Sequence, residues 1–302
     1  MPSDERSLAV IALVNRLVDV GVEPLRSAEL WDLLERVTDP TTLLGRGEDE
    51  LIGILGGRDL ALRVAALLDG GVGLALRLQA LQDRGIWTLT VFDDGYPEEL
   101  RRSLGTGAPA LLHGAGDPSL AARPGLGLVG VPSDPPHLAE LGPATARLAA
   151  DHRISVVTGG EETDLAATET AVGAGGRVVA VPAGPLVDLL ARAEMRRWIL
   201  ESDLCVLSPY PPDTRWSPGA ARGRYRVLHG LSRLSFVVST VEGDTAWSGA
   251  RRAVDNGSGR VAVWSGAGAT AGNAALIAAG ATPVGKLSRL SSLIDGDTGG
   301  GS

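Results

Sequence analysis

The sequence predicts an α/β protein: a Rossmann-like, doubly wound parallel sheet preceded by a small helical module. From residue 125 onward, short runs rich in Val and Leu recur, with few polar residues inside them. Strands that helices cover on both faces have this composition. The segments between the runs have helical periodicity, and this alternation of strand and helix is typical of a parallel doubly wound sheet.

Residues 1–84 are predicted to form the helical module. Apolar residues from Leu8 to Val18 crowd one helical face, and a second helix begins near Ser27, which we expect to cap it. A third helix is predicted over 59–69. Residues 85–124 form a connecting extension, in which a short strand and a turn lead into a helix that tolerates Pro97 in its first turn.

Residues 125–287 are predicted to form the Rossmann-like domain, and residues 288–302, rich in Gly and Ser, a flexible tail. A helix is expected over His137–Asp151. Ligands of such sheets bind beyond the carboxyl ends of the strands. The predicted strands are Leu126–Val131, Ile154–Thr158, Arg177–Pro182, Leu204–Ser208, Phe236–Val241 and Val261–Trp264.

Composition narrows the class of protein. A hydrophobic share of 44% over 302 residues indicates a packed core, and a net charge of −8 argues against nonspecific binding of polyanions. Cys205 is the only cysteine, which excludes a disulfide framework, and its apolar neighbours place it in the core. With no signal-peptide pattern and no apolar run of membrane-spanning length, the chain is predicted to be cytoplasmic and not membrane-bound.

The glycine pattern of residues 125–130 formally matches a dinucleotide-binding fingerprint. Such a motif should follow a strand and open a helix, whereas this one lies inside a predicted strand and is followed by Pro132, Pro135 and Pro136. We therefore predict no NAD and no other cofactor.

Two loops after predicted strands are better candidates for anion binding. The first begins at Gly130, and the second contains Thr158, Gly159 and Gly160. Backbone N–H groups at such positions can receive a phosphate. The alternative is that the glycines only make tight turns, and the following Glu161 and Glu162 favour it because they would repel a phosphate.

The densest basic stretch is the second candidate. Its arginines could pair with phosphates while the tyrosine stacks on a base, although a solvated helix face explains the stretch equally well. The abundance of arginine over lysine, with Lys286 the only lysine, also fits the base composition of the genome. The residues of this candidate are Arg222, Arg224, Tyr225 and Arg226, with Arg251 and Arg252 as a weaker second point.

Catalysis has little support in the sequence. The four histidines lie apart from any nucleophile elbow or metal-ligand spacing, and no Walker A loop is present. We predict no catalytic residue and no metal site.

Several of these stretches, taken together and in order, resemble the DprA/Smf (DNA-processing protein A) family. Residues 94–100 with 108–114 are similar to its Tyr-Pro-x-x-Leu and Pro-x-x-Leu-x-x-Gly pattern, and Arg224-Tyr225-Arg226 leading to Gly230-Leu231-Ser232 resembles its Arg-Asn-Arg and Gly-Leu-Ser. Residues 128–130, 156–164 and 272–281 resemble its first strand, its Ser-Gly turn and its closing element.

The resemblance implies a SAM or helix-hairpin-helix type module followed by an extended Rossmann domain. It also implies a non-catalytic protein that binds single-stranded DNA, forms a homodimer and hands the strand to the RecA recombinase during DNA uptake in natural transformation.

The departures from the family cluster where its DNA pocket is expected. Val131-Pro132 replaces the Ser-Arg that follows Gly130 in the family, and Glu161 or Glu162 replaces an arginine of the next turn. Each missing arginine removes a contact worth about 1.5–3 kcal/mol. The alternative function is therefore a sensor of nucleotides or small ligands that has lost DNA binding.

Overall fold

The computed structural model describes residues 4–132, 135–160, 162–201, 203–257 and 259–296. These residues form a mixed α/β structure with a mostly parallel sheet, which confirms the predicted fold class. Ser133, Asp134, Glu161 and residues 297–302, parts of the predicted first loop, acidic turn and tail, lie outside the described residues.

The sheet has nine strands within the described part of the chain. The strands are β1 Trp87–Thr90, β2 Leu111–Ala115, β3 Gly125–Val129, β4 Val156–Thr158, β5 Val178–Ala180, β6 Leu204–Ser208, β7 Ser232–Val237, β8 Arg260–Trp264 and β9 Thr282–Val284. Their order across the sheet is β1-β2-β6-β5-β4-β3-β7-β8-β9. Neighbouring strands from β6 to β9 in this order are parallel, whereas the β1–β2 and β2–β6 pairs at one edge are antiparallel. The topological switch point lies between β3 and β7.

Helices cover both faces of the sheet, and alternate residues of each strand point into two separate cores. One core includes Phe236 and the other Cys205, which is buried as predicted. The helix predicted over His137–Asp151 is divided in two. The helices after β1 are α6 Glu98–Leu104, α7 Pro136–Ala139, α8 Leu141–Asp151, α9 Glu162–Gly173, α10 Leu186–Ala191, α11 Ala193–Glu201, α12 Pro218–Gly230, α13 Thr245–Asn256, α14 Ala271–Ala278 and α15 Leu287–Asp295. Helix α15 occupies the beginning of the predicted flexible tail.

The helical module has five helices. The first four pack around an apolar core of their own, whereas the fifth packs through Leu74 and Leu78 against Ile11 of the first helix and against Leu111. Ser27 is the first residue of its helix, and not the predicted cap; Arg26 precedes it and donates its backbone N–H to Glu29. The helices are α1 Glu5–Val14, α2 Ser27–Arg36, α3 Glu48–Leu55, α4 Arg58–Asp69 and α5 Gly71–Gln82.

The Tyr96-Pro97 motif holds the connecting extension in place. The Tyr96 hydroxyl is buried and donates a 2.6 Å hydrogen bond to the Pro109 carbonyl, just before β2. This bond ties the turn after β1 to the start of β2. Burial raises the pKa of Tyr96, so the hydroxyl keeps its proton. The tyrosine of the motif therefore has a structural role, which is to donate this hydrogen bond.

We expect Tyr96→Phe to lower the free energy of unfolding by about 1–3 kcal/mol, because the Pro109 carbonyl loses its buried donor. Urea denaturation measures this change. Tyr210→Phe serves as the control, because the Tyr210 hydroxyl makes only a 3.3 Å bond in an exposed position. Equal stability of Tyr96→Phe and the native protein would contradict this explanation of the motif.

Candidate nucleic-acid interface

Helix α12 carries the predicted arginines, and it directs them to two opposite sides. The helix begins after Ser217, whose hydroxyl accepts a hydrogen bond from the Ala220 N–H. With 3.6 residues per turn, Arg222 and Arg226 share one face, whereas Arg224 lies on the opposite face. Arg222 is exposed and Arg226 half-buried, but Arg224 is only 5% exposed. The basic stretch therefore does not form one surface.

The inner face of α12 is part of the core. Tyr225 is 7% exposed, and a Cβ on Gly249 of α13 would lie 2.6 Å from the Tyr225 Cβ. The Arg224 guanidinium lies 4.2 Å from the centre of the Tyr225 ring. Because this ring is enclosed, it offers no face to a base, and this arrangement does not permit the predicted stacking on Tyr225.

The carboxyl ends of β3 and β4 lie against the inner face of α12. Gly159 lies between opposite charges: a Cβ on it would lie 2.5 Å from both Nη1 of Arg224 and Oδ2 of Asp164. Gly130 has a positive φ of 67° and passes close to the Ser239 carbonyl, so no other residue fits easily there. The Arg224 guanidinium and the Asp164 carboxylate therefore both approach Gly159 from within the same chain.

The space at these strand ends is small. The described residues around Gly130 and Gly159 enclose about 40 Å³, roughly the room for a single water molecule. Ligand pockets commonly measure about 300–1,000 Å³. Thr158 is fully buried, and Gly160 packs towards Ala180. Of the four residues predicted to receive a phosphate here, Gly130 and Gly159 line this small space, whereas Thr158 and Gly160 do not.

A larger groove lies on the outer side of α12. It has a volume of about 890 Å³ and runs between α6, α12 and α13. Arg222, Arg226 and Arg252 line it, so three of the predicted arginines come together. Among its described lining residues there is no Asp or Glu, and none of these arginines forms an ion pair within the described part of the chain.

Arg251 differs from its neighbour Arg252. Its Nε lies 2.9 Å from the Asp255 carboxylate, one turn further along α13, and it does not line the groove. This placement separates Arg251 from the arginines with which it was predicted.

Tyr210 is a groove residue that the sequence analysis missed. It lies across α12 at Gly223, where a Cβ would overlap its hydroxyl at 1.8 Å. The tyrosine is half-buried, lines the groove, and is influenced by the charges of Arg222 and Arg226. Burial raises its pKa. The one feature of the sequence that pointed to Tyr210 was its position two residues after the predicted strand Leu204–Ser208, where ligands of such sheets bind.

His229 lies at the floor of the groove. Its ring is 2% exposed, and Nδ1 lies 2.8 Å from the Ser235 hydroxyl. Nε2 has no hydrogen-bond partner among the described residues. Burial lowers the pKa of His229 to about 4, so the imidazole is neutral at physiological pH.

Comparison with known proteins identifies the family. The family described as DNA recombination-mediator protein A matches residues 87–295, which is more than half of the chain. The chain belongs to this family. No curated protein sequence matches this DprA-family protein.

Solved structures of the DprA family have the same fold. DNA processing protein A (DprA) from Streptococcus pneumoniae is 21% identical, with a TM-score of 0.67 over 89% of this chain and 98% of that one. DNA processing protein A from Helicobacter pylori, described for its single-stranded DNA binding mode, is 20% identical, with a TM-score of 0.57 over 70% of this chain and 96% of that one. In the described residues of this family member, no helix is both long and apolar enough to span a membrane.

The buried histidines make stability depend on pH. In the unfolded chain His229 titrates near pH 6.5, but in the folded protein its pKa is about 4. Its contribution is therefore complete above about pH 6.5 and is lost as the pH falls towards 4, at about 1.4 kcal/mol per pH unit. Burial lowers the pKa of His113 to about 4 as well, so it acts in the same direction.

We expect His229→Gln to reduce the decline in unfolding free energy between about pH 6.5 and 4.5 by about half, because only His113 then resists protonation. Urea denaturation at several pH values measures the decline. An unchanged pH dependence in this variant would contradict the neutral, buried state of His229.

Proposed function

We propose that this protein binds single-stranded DNA in the groove between α6, α12 and α13. The observation that carries the proposal is the meeting of Arg222, Arg226 and Arg252 in a groove whose described lining residues include no carboxylate, in a chain of net charge −8. Guanidinium groups pair well with phosphates, and exposed aromatic rings stack on unpaired bases. Tyr210, between Arg222 and Arg226, supplies the ring.

The other predicted site residues have structural roles in this proposal. Arg224 is buried beside Gly159, where the Asp164 carboxylate also lies, and Tyr225 belongs to the core. Gly130, Thr158, Gly159 and Gly160 shape the junction at the strand ends. We therefore place these residues outside the DNA-binding surface, together with Arg251, which does not line the groove.

We further propose that the protein acts by binding and not by catalysis. Among the described lining residues, neither His229 nor Tyr210 suits acid–base chemistry at neutral pH, because burial lowers the pKa of His229 to about 4 and raises the pKa of Tyr210. The thiol of Cys205 is buried in the core, which raises its pKa. The described residues contain no cluster of His, Cys, Asp and Glu that could hold a metal ion.

Family membership supports the wider role. We propose that this chain, as a homodimer in the cytoplasm, passes single strands to the RecA recombinase during DNA uptake, and its membership of the recombination-mediator family supports this proposal. The single-stranded DNA binding described for the Helicobacter pylori relative supports it. The alternative of a nucleotide sensor has no comparable observation in its favour, since the described residues at the strand ends leave a space of only about 40 Å³.

Binding to a fluorescent oligo-dT, followed by anisotropy over a range of salt concentrations, tests the proposed groove. We expect Arg252→Ala and Arg226→Ala each to weaken binding about tenfold or more, because each removes a charge-assisted phosphate contact. The logarithm of affinity should also fall less steeply with the logarithm of salt, by about 0.7 for each phosphate that no longer has an arginine partner.

Arg251→Ala is the matched control, because it removes the same charge from the next position of the same helix. We expect it to bind as the native protein does. If the native protein fails to bind oligo-dT at low salt, single-stranded DNA is not its ligand. If Arg251→Ala and Arg252→Ala weaken binding equally, net charge and not the groove is responsible.

A further inference from the structure

The DNA groove continues into a cleft between the helical module and the α/β domain. This cleft has a volume of about 390 Å³. Gly107, Tyr210 and Arg226 line both the groove and the cleft, so the two share a boundary at the middle of the basic surface. A ligand that extends along the groove beyond Tyr210 and Arg226 would therefore enter the cleft and contact the helical module.

Two further arginines, both from the helical module, line this cleft. Arg16 follows α1, in a turn where the Asn15 side chain accepts hydrogen bonds from the N–H groups of Leu17 and Val18, at 3.1 and 3.3 Å. Arg26 immediately precedes α2. Both residues are exposed. The fold therefore brings cations that are far apart in the sequence to one cleft.

The charges around the cleft leave it positive. No Asp or Glu is found among the described residues that line it. Arg16 forms no ion pair with any described residue, and Arg26 shares Glu29 with Arg63. Burial lowers the pKa of His113, which lines the cleft, and Asp213 is close enough to raise it in part, but the Asp213 carboxylate forms an ion pair with Arg77 at 3.1 Å.

The walls of the cleft are held together by contacts between the two parts of the chain. The Trp31 indole N–H donates to the Ala108 carbonyl at 3.4 Å, and the Thr90 hydroxyl donates to Ser7 at 3.0 Å. The Arg101 guanidinium lies 5.5 Å from the centre of the Trp31 ring. Because these contacts join α1 and α2 to the extension, the position of Arg16 and Arg26 relative to the groove is set by the fold.

We infer that the helical module forms the second half of the nucleic-acid site, with Arg16 and Arg26 contacting phosphates of the same single strand that occupies the groove. This inference rests on the proposed function. A strand would pass from Arg252 across Tyr210 and Arg226 into the cleft. The module then lengthens the strand that one protein molecule covers, and short and long strands should differ in their use of it.

The double variant Arg16→Ser/Arg26→Ser tests this path in the full-length protein. Serine suits the position before α2, because its side chain can cap a helix, and Glu29 keeps Arg63 as a partner. The measurement is anisotropy with oligo-dT of about six and about twenty nucleotides, lengths near the limits of common single-strand sites. Arg84→Ser, an exposed arginine after α5 that lines neither the groove nor the cleft, is the control, and thermal melts check folding.

We expect the double variant to bind the long strand about tenfold or more weakly, with a salt slope smaller by about 1.4. Binding of the short strand, which the groove alone can hold, should change less than threefold, and Arg84→Ser should bind both as the native protein does. If the folded double variant binds the long strand as tightly as the native protein, the cleft is not part of the path, although the proposed function stands. If the native protein binds neither strand, the proposed function fails and the inference fails with it.

Discussion

The close packing of helix α12 is the constraint on which the rest of the site depends. On one side the helix meets α13 at Gly249, and near its end Gly230 leaves room for Leu100 of α6. These contacts fix the rotation of α12 about its axis. As a result Arg224 points to the strand ends, while Arg222 and Arg226 point to the outer groove. A rotation by half a turn would exchange the two sets and bury the groove arginines.

The separation of the arginines of α12 between its inner and outer faces explains how an acidic protein can offer a basic surface. Asp164 and the inward-pointing Arg224 of α12 both lie beside Gly159, and Asp255 forms an ion pair with Arg251 on α13. The remaining arginines of the groove line a surface to which no described carboxylate contributes. Net charge averages over the whole surface, whereas a strand of DNA responds to the few cations within a Debye length of about 10 Å.

Sequence patterns predicted most of the sheet but not the site. The six predicted strands correspond to β3–β8, because apolar runs between helical segments have few other structures open to them. One of them was placed too late: the prediction was Phe236–Val241, whereas β7 is Ser232–Val237, because polar residues occupy the beginning of this strand. Strand β9 was not predicted, because it has only three residues and the central one is Pro283. Strand β2, the antiparallel partner of β1, was not predicted either, because its residues were considered only as part of a family motif. Arginine at both 222 and 224 gave no hint of which side faces the core, since helical periodicity is informative only where polar and apolar residues separate. Tyr210 escaped notice because its contact with Gly223 is a tertiary one.

The ionisable groups of the groove keep the same charge over a wide range of pH. Its cations are all arginine, which stays protonated at any physiological pH, and the imidazole of His229 remains neutral down to about pH 4. Burial also keeps the Tyr210 phenol in its protonated form. Among the described lining residues, therefore, no group changes its charge between about pH 5 and 9 while the protein is folded. Affinity of the proposed groove for a polyanion should accordingly depend on ionic strength and not on pH over this range.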